Sequence, residues 1–248
     1  MTDKDLPAYE IIGSDGQIVQ IPIAPGEAVT CDKGSMCYSS DRVKMEAKFL
    51  GFMKTLGRIA GGGNLFSVTY TNEGDELGYV AMTPTVPGLV VPIDMTEYPE
   101  ILASRDSYLC SFGTGEDTVV SATFNPASSA AACLCGGEGI IMQNIIGGTT
   151  SFLVAMGTVI IKTLEAGEEI IVDTDAILAF TRGVEFDVRL AANCCSLNMC
   201  CGGEGVFNTV LTGPGKVWLE SMSISRLRAL FPPRPDNSGG SGDDGGDE

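Results

Sequence analysis

Gly202-Gly203-Glu204-Gly205-Val206-Phe207 opens a β-rich run, VFNTVLTGPGKVWLESM, that ends at Met222. Two earlier stretches have the same form. Gly136-Gly137-Glu138-Gly139-Ile140-Ile141 opens IIMQNIIGGTTSFLVAM, and Gly61-Gly62-Gly63-Asn64-Leu65-Phe66 opens LFSVTYTNEGDELGYVAM. A glycine joint written three times, each time before strand-like sequence, predicts a three-lobed β-protein, because internal self-similarity marks a fold built by repetition.

The likeness extends upstream of each joint. Stretches from Ile18 (IVQIPIAPGEAVTCDKGSMCYSS), Leu89 (LVVPIDMTEYPEILASRDSYLCSF) and Thr158 (TVIIKTLEAGEEIIVDTDAILAFT) each read as strand, turn, strand, turn, strand. Pro25-Gly26-Glu27 and Ala166-Gly167-Glu168 hold the first turn in two of them. A further strand follows at Arg42 to Phe49, with Val43, Met45, Ala47 and Phe49 on one face and charges on the other, the period-2 signature of a half-buried strand. Thr118 to Phe124 and Val184 to Leu190 take the matching places. The copies are residues 18–82, 89–156 and 158–222, a spacing of about 70 residues that is too long for a solenoid unit and suits a small β-sandwich. One domain over 9–230 is expected, followed by an acidic Gly/Ser/Asp tail over 231–248 whose composition predicts disorder.

The chain has 248 residues and carries 32 acidic against 15 basic side chains, a net charge of −17. That field repels phosphate backbones, so nucleic acid is not an expected partner. Histidine is absent, which removes the commonest general base and every histidine-containing triad or metal site. No P-loop, Gly-x-Ser-x-Gly or Ser-x-x-Lys frame appears. The expectation is a non-enzymatic protein. No apolar run reaches the roughly 20 residues that span a bilayer. The acidic, polar start fits neither a signal peptide nor a transit peptide, so a cytoplasmic location is expected, or a mitochondrial one if a presequence has been removed.

Leu211 to Ser221, the joint at Gly202 to Thr209, and Gly57-Arg58-Ile59 running into Leu65-Phe66 together resemble the mitochondrial biogenesis family named for altered inheritance of mitochondria, whose bacterial relatives have no known function. The resemblance covers about 19–228. It implies an all-β, triplicated sandwich like that of the tryptophan RNA-binding attenuator protein, of the double-stranded β-helix type, with pseudo-threefold symmetry in one domain. It implies no catalytic residues. The attenuator protein binds RNA and tryptophan, but no residue set in this chain matches such a site.

Three groups of residues are candidate sites. The joints Gly136, Gly137, Glu138, Gly139 and Gly202, Gly203, Glu204, Gly205 are read as structural corners, where glycine supplies backbone angles or close approach. Cys133, Cys135, Cys194, Cys195, Cys200 and Cys201 sit in equivalent inserts. Packing as small apolar groups is their first reading; zinc or another soft metal, or redox sensing, is the functional one. Phe52, Lys54, Leu56 and Arg58 give the first insert an apolar face beside a basic spot, read as a lid on the core or as a contact for a partner or membrane surface. Trp218, the single tryptophan, is expected partly buried at a lobe boundary or subunit contact, with Val217 and Leu219 facing the other way. Protein partners or self-association follow as the expected mode of action, with a small-ligand or metal-binding module as the alternative.

Overall fold

The computed structural model describes residues 8–49, 66–105, 107–113, 119–124, 141–190 and 207–231. Their regular structure is almost wholly antiparallel sheet. The first strands are β1 (Glu10–Ile12), β2 (Ile18–Ile23), β3 (Ala28–Cys31), β4 (Met36–Ser39), β5 (Val43–Phe49), β6 (Phe66–Asn72) and β7 (Gly78–Met82). Next come β8 (Leu89–Asp94), β9 (Glu100–Ser104), β10 (Tyr108–Gly113), β11 (Val119–Phe124), β12 (Ile141–Ile146) and β13 (Thr150–Leu164). The last are β14 (Glu169–Val172), β15 (Ile177–Thr181), β16 (Glu185–Leu190), β17 (Phe207–Thr212) and β18 (Gly215–Met222), followed by a short helix α1 (Ile224–Ala229).

One pairing order recurs along the chain. β7 lies between β2 and β4, β13 between β8 and β10, and β18 between β13 and β15. Likewise β6 lies between β3 and β5, β12 between β9 and β11, and β17 between β14 and β16. The detail repeats too: the register slips between Met36 and Tyr38, between Tyr108 and Cys110, and between Ile177 and Ala179. Such bulges bend a strand locally and increase its twist.

Local sequence accounts for these elements. In β2 the alternation of Val19, Ile21 and Ile23 with Ile18, Gln20 and Pro22 sends the first three into the core, where none is exposed. Gly26 and Gly167 adopt φ of 80° and 78°, which an L side chain rarely holds, and so turn the chain into β3 and β14. Glu27 and Glu168 brace those turns, accepting from the Ala24 N–H at 2.9 Å and the Glu165 N–H at 2.8 Å.

β13 departs from expectation. The sequence placed the boundary between two copies at 156 and 158, and one strand of 15 residues runs through it. Gly157, at φ 71°, forms a bulge there rather than a turn, and Ser221 Oγ accepts the Thr158 N–H at 2.8 Å. The strand therefore serves two sheet regions, pairing with β8 and β10 through its first half and with β18 through its second.

The buried apolar residues form three clusters. The first takes Val19, Ile21 and Val80 from one stretch and Leu109, Cys110 and Phe152 from the next. The second joins Ile93, Ile101 and Leu153 to Leu178, Ala179 and Trp218. The third holds Phe180, Val184, Leu211 and Val217. Asn72, 1% exposed, ties the first cluster to its rim. Its Nδ2 donates to the carbonyls of Ile23 at 2.7 Å and Glu76 at 2.8 Å, and its Oδ1 accepts the Gly74 N–H at 3.0 Å. Asn72→Ala is expected to cost about 2 kcal/mol, since it strands buried backbone groups. The urea midpoint reads this; an unchanged midpoint would mean that water replaces the amide without loss.

Candidate interaction surface

The inserts and joints singled out from the sequence lie outside the described residues. This covers Cys133, Cys135, Cys194, Cys195, Cys200 and Cys201, the joints at 136–139 and 202–205, and Phe52, Lys54, Leu56 and Arg58. Among the described residues no group of three or more His, Cys, Asp or Glu is placed to hold a metal ion. No described helix is long and apolar enough to cross a membrane.

The described surface has a different feature of interest, where the recurring pairing stops. β10 uses its outer edge to pair with β3: Cys110 with Cys31, Ser111 with Thr30 and Phe112 with Val29. β15 does the same with β9: Ala179 with Ala103, Phe180 with Leu102 and Thr181 with Ile101. These joins link most strands into one 11-stranded sheet. β4 holds the position of β10 and β15, yet it ends the four-stranded sheet β1-β2-β7-β4. β14 holds the position of β3 and β9, yet it ends the three-stranded sheet β14-β17-β16.

Burial follows the pairing. The first four residues of β10 and of β15 are buried, and so is all of β3. By contrast, Met36 is 40% exposed, Tyr38 38% and Ile171 70%. Tyr38 stands edge-on to Tyr79 of β7, itself exposed, with ring centroids 6.1 Å apart. Its hydroxyl donates to Gln20 Oε1 at 2.8 Å. On β14, Glu169 receives both terminal nitrogens of Arg189 at 2.8 Å, which holds its carboxyl below the usual range and leaves Ile171 as the apolar outward group. An edge strand with unpaired N–H and C=O groups and exposed apolar side chains is a template for another strand. Sequence reasoning missed both edges, because β4 and β14 read like ordinary strands and their missing partners are distant in sequence.

The formed joins show what such an edge becomes when covered. Beneath β3 and β10, Tyr108 donates its hydroxyl within 3.1 Å of the Thr30 carbonyl and Ser111 Oγ, and Ser111 Oγ lies 2.8 Å from Ser151 Oγ. Burial pushes the Tyr108 hydroxyl and the Cys110 thiol well above their ordinary values. Burial, with Asp32 beside it, pushes the Cys31 thiol up to about 12. Both thiols are free and protonated at neutral pH, and pack as small apolar groups. Cys37, in contrast, is exposed on β4.

A pocket of about 180 Å³ lies where Asp32, Lys33 and Thr85 meet Tyr108, Ile224 and Leu227. Ligand pockets usually enclose about 300 Å³ or more, so this one suits only a very small molecule. Elsewhere Glu220, 7% exposed, accepts the Met156 N–H at 2.7 Å. Burial first, then Asp175, raise its carboxyl to about 7, against the pull of that hydrogen bond. Glu220, on β18, is tied by that bond to β13 and lies on neither β4 nor β14.

Comparison with known proteins matches this architecture. An uncharacterised protein of Streptococcus pyogenes serotype M6 is 24% identical over 219 residues, covering 85% of this chain and 83% of that one. A crystal structure of a Streptococcus pyogenes protein superposes with a TM-score of 0.67 at 20% identity, covering 90% of this chain and 96% of that one. The family model described as mitochondrial biogenesis AIM24 matches residues 9–222, and the chain therefore belongs to the mitochondrial biogenesis AIM24 family.

Proposed function

We propose that this chain is a non-enzymatic interaction protein, built as three like β-units in one domain of the attenuator-protein type, that works by binding other polypeptides along the open edges of β4 and β14. The exposure of Met36, Tyr38 and Ile171, at positions whose counterparts are covered by neighbouring strands, supports this reading most directly. The absence of histidine and of any catalytic frame in the sequence fits it. A scaffold or assembly role asks only for stable surfaces, and sheet edges provide both affinity and register.

Photo-crosslinking in cells tests it. A crosslinking residue at Tyr38 or at Ile171 is expected to give protein adducts, and one at exposed Asp15 is not. No adducts at either edge would overturn the proposal. The pocket beside Lys33 and the insert cysteines favour a second reading, a small-ligand or metal-binding module. Metal content on protein purified under reducing conditions separates the two: one metal per chain would favour the module through Cys133, Cys135, Cys194, Cys195, Cys200 and Cys201, and a substoichiometric content would count against it.

A further inference from the structure

Two of the sheet edges, those of β4 and β14, match each other. β4 sits against β7 as β10 sits against β13 and β15 against β18, down to the bulge at its start. β14 sits against β17 as β3 sits against β6 and β9 against β12. The turns into β3 and β14 fix the alignment: Gly26 and Gly167 donate to the carbonyls of Asn72 and Gly213, and Asn72 and Gly213 donate back to the carbonyls of Glu27 and Glu168. Thr30 and Ile171 each stand three residues beyond that glutamate. The register of the two formed joins then specifies a third. Inside one molecule the described strands do not make it, since β4 and β14 end separate sheets.

We propose that β4 of one molecule pairs antiparallel with β14 of a second copy of this chain, Tyr38 opposite Val172, Ser39 opposite Ile171 and Ser40 opposite Ile170. This rests on the interaction reading above and names its partner. The join would merge a four-stranded and a three-stranded sheet, continuing between molecules the interface that β10–β3 and β15–β9 already make within one. An unrelated strand would fit one edge; a second copy satisfies both, because each molecule presents one β4 and one β14. The contact is head-to-tail, so association proceeds from molecule to molecule until the rotation closes it. It would cover Ile171 and Tyr38 and pair the open backbone groups.

Light scattering in reducing buffer tests this on the full chain, reduced so that exposed Cys37 cannot cross-link. Wild type is expected to show a mass that is a multiple of the 25.9 kDa chain. Ser39→Lys and Ile171→Lys are each expected to be monomeric, because lysine on an edge strand blocks pairing. The thermal melt of Ile171→Lys, taken at a concentration where wild type is dissociated, should match it, Ile171 being 70% exposed. Mixed in equal amounts, the two variants should form a species of twice the chain mass and no larger: one retains its β14 edge, the other its β4 edge, and a single good join leaves only blocked edges. A monomeric wild type at every concentration, or variants that keep the wild-type mass, would overturn the proposal. If wild type is monomeric while edge crosslinks persist in cells, the second copy is wrong and the interaction reading stands; if both measurements are blank, both fall.

Discussion

Trp218→Ala is expected to be among the most damaging single changes in the protein, at about 3–5 kcal/mol. Trp218 is 3% exposed in the middle of β18, opposite Ile161 of β13 and Ala179 of β15. Its indole packs in the cluster with Leu153, Leu178 and Ile101, and Tyr98 meets it edge-on at 5.7 Å. The Lys216 ammonium lies 4.8 Å from the Tyr98 ring centre and 5.9 Å from that of Trp218, a favourable placement over aromatic faces. Removing the indole leaves a large void between strands held in several pairings, so the site cannot readily collapse. At roughly 2–4 °C per kcal/mol for a chain of this size, the melting temperature should fall by about 10 °C. Trp218→Phe, which keeps most of the ring, should lose less than half as much. A loss below about 1 kcal/mol for the alanine variant would show that the neighbouring clusters close over the gap.

Trp218 also shows how much the sequence tells. Alternation in Lys216-Val217-Trp218-Leu219 put Trp218 and Val217 on opposite faces, and they do lie in different clusters. Trp218, expected partly buried at a lobe boundary or subunit contact, is 3% exposed and shares a cluster with Ile93, Ile101 and Leu153. The strand expected from Arg42 to Phe49 is β5, Val43–Phe49, because a strict period of two is a local signal. Local signals also mislead. The boundary set between copies at 156 and 158 falls on a bulge at Gly157 inside one strand, since a positive φ serves a turn or a bulge and the pairing with β18 decides. Helix α1 was missed: Ser223 caps it, its Oγ accepting the Arg226 N–H at 3.2 Å, but six residues before a proline run give little periodicity. Glycine and cysteine drew the sequence reading to the inserts, which lie outside the described residues. The open edges could not be read locally, because Glu169-Ile170-Ile171-Val172 is as strand-like as Ala28-Val29-Thr30-Cys31. What differs is the strand that lies alongside, a non-local fact.

Glu220 should make stability fall as pH rises through neutrality, opposite in sign to the usual surface carboxylate. It shares a face of β18 with Trp218, so the alternation that buries the indole also buries a charge. The Met156 N–H donates to it at 2.7 Å, and Asp175 adds a second negative charge nearby. The carboxyl is therefore raised from 4.5 to about 7. In the unfolded chain it titrates near its ordinary value, so the folded state binds the proton more tightly. The contribution is fully present below the unfolded value, and it is lost as pH rises through the folded one. At about 1.4 kcal/mol per pH unit of difference, the loss reaches roughly 3–4 kcal/mol. Glu220→Gln keeps an acceptor oxygen for Met156 and cannot ionise. All other carboxylates are common to both proteins and cancel in the comparison. Urea midpoints of the two should hold a fixed offset near pH 4. The glutamine variant should then gain on wild type between about pH 5 and pH 8. A constant offset across that range would mean that Glu220 ionises in the fold without penalty, with water reaching the seam between β13 and β18. A growing advantage for glutamine would establish that burial holds the Glu220 carboxyl protonated in the fold, in keeping with its 7% exposure.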